Sequence, residues 1–175
     1  MKAILFVLLF VPLTATFAQH DFPASWAGEW KGTLEIFNAS GKVQELPMEL
    51  HIQPVDSSEN YTWTIIYGED KIAGRRPYEL VPVEPAKGIY KINEKNSIAM
   101  EGYLLGGKFF QWFEVSGSVL LTSTELAGEE LIWEIAVSST EPVSSTGNEA
   151  VDGEEIPEVK TFPVTVLQTA KLRRQ

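Results

Sequence analysis

The sequence predicts an all-β fold, an antiparallel up-and-down barrel of about 8–10 strands, with a β-sandwich as the alternative. Three observations carry this expectation. From residue 29 onward, short runs alternate apolar and polar side chains with a period of two, the pattern of a half-buried strand. Each run ends in a segment of Gly, Asn or Ser that can turn tightly. No stretch beyond the first 18 residues sustains a 3.6-residue apolar repeat, so little helix is expected. Closing the sheet would remove the unpaired edges that an open sheet exposes.

The chain opens with a different kind of segment. Lys2 precedes an apolar run from Ala3 to Leu13, and Thr16 and Ala18 suit the −3 and −1 positions of a cleavage site before Gln19. This is the secretory pattern. The run is shorter than the roughly 18 apolar residues that a membrane anchor needs. Residues 1–18 are thus expected to be a signal peptide and residues 19–175 a single domain. Losing Lys2 takes the net charge from −10 to −11. Such a surface repels phosphates, so nucleic acid is not an expected partner. There is no cysteine, which excludes a disulfide framework, thiolate metal sites and a thiol nucleophile. Export without disulfides points to a bacterial protein that is periplasmic or secreted.

The first strand is expected over Glu29–Phe37, with Trp30, Leu34 and Ile36 on one face and Lys31, Thr33 and Glu35 on the other. Asn38–Lys42 forms a hairpin connection. In the second strand Leu46, Met48, Leu50 and Ile52 alternate with polar residues, and Pro47 must lie at an edge or bulge because it lacks a donor. The third runs from Tyr61 to Tyr67, with Trp63, Ile65 and Tyr67 on one side. After a polar loop, Gly68 to Arg75, further strands fit Arg76–Val83, Gly88–Asn93, Ser97–Leu105, Lys108–Val115, Val119–Leu126 and Leu131–Ser138. Ser139–Glu158 holds six acids and no basic residue, a composition expected to stay disordered. Phe162, Val164 and Val166 then begin a last strand reaching Leu172.

The segment Trp26-Ala-Gly-Glu-Trp-Lys-Gly32 carries a Gly-x-Trp at the opening of the first strand. It resembles the start of calycin-type barrels, which include lipocalins, fatty-acid-binding proteins, avidins and nitrobindin-like proteins. The resemblance implies that Trp30 closes one barrel end and that a late basic residue, Arg173 or Arg174, packs across it. It covers only the two ends of the chain. Departures bear on function. Five residues join the first two strands, where fatty-acid-binding proteins carry a helical lid. Nitrobindin-like barrels hold haem through a histidine, whereas here His20 lies in the lead-in and His51 shares a polar strand face with Glu49 and Gln53. Both read as solvated side chains, so no haem, transition metal or other cofactor is expected.

The richest chemistry falls between Tyr67 and Leu80. Tyr67 sits at a barrel mouth if Trp63 and Ile65 face inward, and Arg76 and Tyr78 share parity with Leu80. An arginine flanked by tyrosines can orient a carboxylate or phosphate headgroup by bidentate hydrogen bonds; the competing reading is a hairpin loop whose arginines pair with local acids. Asn93–Asn96 reads as a turn. The run Phe109–Phe113 has apolar residues on both faces, and Trp112 is taken as a lining residue. The ligand set expected from the sequence is therefore Trp63, Tyr67, Arg76, Tyr78 and Trp112. No nucleophile–base pair is present, and Glu129-Glu130 and Glu154-Glu155 sit in a turn and in the acidic segment, so no catalysis is expected. The functional expectation is an exported barrel binding a small hydrophobic or amphipathic molecule in its interior. The alternative is an accessory module of the envelope with a filled barrel and a protein partner.

Overall fold

The computed structural model describes residues 21–175; the expected signal peptide and His20 lie outside the described residues. Ten strands close into one antiparallel barrel: β1 (Gly28–Asn38), β2 (Gly41–Ile52), β3 (Tyr61–Tyr67), β4 (Arg75–Glu84), β5 (Ile89–Asn93), β6 (Ala99–Leu105), β7 (Lys108–Val115), β8 (Ser118–Ala127), β9 (Glu130–Ser139) and β14 (Val164–Arg174). Each strand pairs with the next along the chain, and β14 pairs with both β9 and β1 to complete the ring. The barrel expected from the alternating pattern is thus what forms, with ten strands and no sandwich.

Alternation explains the core. Leu46, Met48, Leu50 and Ile52 of β2 face inward with Trp30 and Leu34 of β1, Leu80 of β4 and Leu131 of β9. Pro47 is accommodated without a bulge. Its carbonyl accepts from the Gly68 amide at 2.8 Å, one residue beyond the β2–β3 ladder, which begins at Met48. The ring nitrogen faces the same side, where β3 has ended and no donor is needed.

One barrel end is plugged. A short 3₁₀ turn, Ala24–Trp26, folds Phe22 and Trp26 across the opening, where Phe22 meets Trp26, Tyr90 and Phe109. The indole of Trp30 donates to the Trp26 carbonyl at 2.9 Å. The guanidinium of Arg174 lies 4.5 Å from the Trp30 ring centroid and donates to the Ser25 carbonyl at 2.9 Å. Gly28 has a φ of +151°, and a Cβ there would press on the Arg174 side chain. The Gly-x-Trp pattern therefore works with Arg174. Arg173 instead pairs with Glu130 at 2.9 Å on the outside.

The β1–β2, β3–β4, β5–β6 and β7–β8 turns gather at the opposite end, and so does the segment between β9 and β14. Its composition predicts no regular structure, yet it forms an arm of four short strands: β10 (Ser144–Thr146), β11 (Glu149–Val151), β12 (Glu154–Ile156) and β13 (Val159–Thr161). β10 pairs with β13 and β11 with β12. The tip turns at Asp152-Gly153, both at positive φ, the signature of a type I′ hairpin turn. Every residue in these four strands is exposed, so local turn chemistry shapes the arm and burial contributes nothing.

Candidate functional site

Inside the barrel, toward the end opposite the plug, lies a cavity of about 160 Å³. Its walls come from alternate residues of seven strands. Trp63, Ile65 and Tyr67 of β3 form one side, and Phe113, Trp133 and Ile135 face them from β7 and β9. Tyr67 and Trp133 meet edge to face, with ring centroids 6.4 Å apart. Met100 and Ile92 add apolar surface. Polar groups are few: Gln111 of β7, Thr122 and Thr124 of β8, the phenols of Tyr67 and Tyr78, and Glu94 from the β5–β6 turn. An apolar, aromatic wall with a small number of placed polar groups is the general character of small-molecule sites.

Gln111 stands out among these groups. It is 7% exposed, and its Nε2 has no hydrogen-bond partner among the described residues. A buried amide left unpaired costs roughly 1–3 kcal/mol, which makes it a place where an added molecule gains. Burial pushes the Tyr67 phenol well above the ordinary tyrosine range. It raises Tyr78 as well, with the Glu94 carboxylate adding to the effect. Both phenols are therefore neutral hydroxyls at physiological pH, able to donate or accept.

The rim belongs to Arg76. It pairs directly with inward-facing Ile65 across β3–β4, which places it on the inner face at the strand's start, where its side chain reaches solvent. Its Nη1 donates to the carbonyls of Ala73 and Arg75, at 3.1 and 3.0 Å. Neither Arg75 nor Arg76 forms an ion pair among the described residues, so the reading in which local acids neutralise them does not hold.

Of the residues taken from the sequence as ligand-binding, Trp63, Tyr67 and Tyr78 come together in the cavity wall, and Arg76 stands above them at the mouth. Trp112 is a correction: it is 73% exposed on the outer face. β7 points Phe109, Gln111 and Phe113 inward, so its parity is opposite to the one that Trp112 required. Gln111, Trp133 and Glu94 were missed. The lone polar residue in an aromatic run was the available signal for Gln111, while Glu94 was assigned only to a turn.

His51 differs from its solvated reading too. It is half-buried on the outer face, with Nε2 2.8 Å from Glu49, which also accepts from Lys71 Nζ at 2.6 Å. A larger depression, about 880 Å³, lies at the plugged end around Arg173, Arg174 and Glu130. It is a surface hollow whose arginines are already engaged with Trp30, Ser25 and Glu130, and it holds no buried polar group awaiting a partner. The interior cavity is the stronger site.

No family model and no curated protein matches this chain. A crystal structure of a protein of unknown function from the DUF3598 family of Nostoc punctiforme is similar, with a TM-score of 0.58, 13% identity and 87% of this chain covered. This chain spans about half of that one's length, 48%. At such identity the likeness concerns the fold alone. The chain is therefore an all-β protein whose ten-stranded antiparallel barrel has a structural counterpart in the DUF3598 family.

Proposed function

We infer that this protein is an exported, calycin-like container that binds one small, partly apolar molecule inside its barrel. The supporting observation is the aromatic-walled cavity, sealed at one end by the Trp30–Arg174 plug and bearing an unpaired Gln111 amide. Trp63 and Trp133 line that cavity, so uptake is expected to change the protein's tryptophan fluorescence. Titration of the purified protein with small aromatic and aliphatic probes, beside native mass spectrometry, tests the reading. Thr124→Phe fills the interior and is expected to abolish uptake. A barrel that takes up no probe overturns the reading. Export is checked separately by fusing residues 1–20 to a reporter enzyme and measuring its activity outside the cytoplasm.

A second reading, an accessory module that engages a protein partner, has its own observation. Trp112 lies opposite Leu121, Leu121 opposite Ala136, Ala136 opposite Leu167, and Leu167 opposite Phe37. This apolar row crosses five strands on the outer face, beside a polar row of Ser123, Glu134, Thr169 and Glu35. Trp112→Ala separates the readings if partner capture suffers while probe uptake survives.

A further inference from the structure

We propose that the cavity selects a compact, uncharged, single-ring molecule whose polar edge hydrogen-bonds the Gln111 amide. The proposal rests on the container reading and specifies what the container takes. Size sets the first limit. A cavity of about 160 Å³ is close to the roughly 150 Å³ apolar cavity that admits benzene. It is about half of the smallest drug-sized pockets, near 300 Å³. A single ring fits, and a long acyl chain does not.

Shape sets the second limit. Trp63, Tyr67, Phe113 and Trp133 present ring faces and edges to the space, and flat aromatic guests gain from offset or edge-on contact with such walls.

Charge sets the third. Glu94 is the one ionised side chain in the lining, and it stands at the mouth beside Tyr78. An anion would face that carboxylate and lose its hydration among apolar walls. A cation would pass Arg76 on entry and would lose its hydration among apolar walls. A neutral guest avoids both penalties.

The polar edge is the specific element. Gln111 is buried, and its side chain makes no hydrogen bond to the described residues while Nε2 is fully covered and unpaired. The last side-chain torsion of glutamine is broad and nearly two-fold. A rotation of up to about a half turn of the amide therefore offers either its donor or its acceptor to the cavity. A guest with a carbonyl, an amide or a ring nitrogen on one edge satisfies it, and a hydrocarbon of the same size does not.

Isothermal titration calorimetry of the purified protein with benzamide, toluene, benzoate and decanoate tests this. Benzamide is expected to bind about tenfold more tightly than toluene, in line with satisfying one buried polar group, and both benzoate and decanoate to bind more weakly still. Gln111→Met keeps the side chain's length and is expected to remove the benzamide preference. Gln111→Leu serves as the second variant, and urea unfolding of each is expected to show stability equal to or above the parent's. If toluene or decanoate binds as well as benzamide, or if the preference survives in both variants, the Gln111 assignment is overturned and the container reading stands. If none of the four enters the parent protein, both fall.

Discussion

Gly102 faces inward on β6 opposite Tyr90, and a Cβ built on it would overlap the ring of Phe109. That ring stacks against Phe22 and meets Trp63 edge to face, so the glycine is what lets the plug and the barrel wall share one aromatic cluster. Gly102→Ala is expected to lower stability by about 1–3 kcal/mol through overpacking, read as a lower urea midpoint at constant slope. Phe109→Ala should cost about 3–5 kcal/mol, whereas Trp112→Ala, two strand positions plus one away and on the outer face, should stay within about 0.5 kcal/mol. Glu49 supplies a pH dependence. Burial works to raise its pKa, but hydrogen bonds from Lys71 and His51 and the nearby Lys31 charge hold it below its ordinary 4.5. A carboxylate held down by folding contributes stability that is complete above the ordinary value and is lost as pH falls through the lower folded value. Glu49→Gln is therefore expected to lose on the order of 1 kcal/mol near pH 7 and to decline less steeply on acidification, as measured by urea midpoints across pH 7 to 3. Residue-scale legibility was uneven. Trp30 with a late arginine was readable from the ends of the chain, but the choice of Arg174 over Arg173 depends on strand register. The parity of Phe109–Phe113 was hidden because both faces of that run are apolar.

Elements with one clean apolar face were legible, and those whose shape comes from turns alone were not. Leu46, Met48, Leu50 and Ile52 placed β2 by period, and Tyr61–Tyr67 emerged with the same ends in sequence and structure. The arm was different. Its acids and small residues suggested no order, while Asp152-Gly153 between Val151 and Glu154 carried a hairpin signal that composition outweighed. Since no arm strand buries a residue, replacing residues 141–161 with a short Gly-containing turn is expected to leave barrel stability within about 1 kcal/mol, because loop length changes closure entropy only slowly. Thermal unfolding of the shortened chain checks this. A large loss would show that the arm braces the β9–β14 pair.

The whole barrel depends on its first and last strands meeting, and that pairing joins residues almost the full chain apart. Trp30 lies opposite Arg174 and Leu34 opposite Ala170, with Ala170 and Leu172 in the core. Removing residues 170–175 is expected to open β1 and β9 as long free edges and to drive aggregation, seen as light scattering at concentrations where the intact chain stays clear. Closure through such distant partners also predicts folding in milliseconds to seconds rather than microseconds, measurable by stopped-flow tryptophan fluorescence. At the same scale, the Gln175 amide donates to the Glu29 carbonyl at 2.9 Å, so β14 ends beside the start of β1, and both ends of the described chain lie at the plugged face. A tether attached to either end would hold the molecule with its cavity mouth and arm pointing away from the anchor. The same geometry makes the barrel a natural subject for circular permutation: a linker over the plugged face could join residues 21 and 175, and new ends could open at Asp152-Gly153 without cutting a barrel strand.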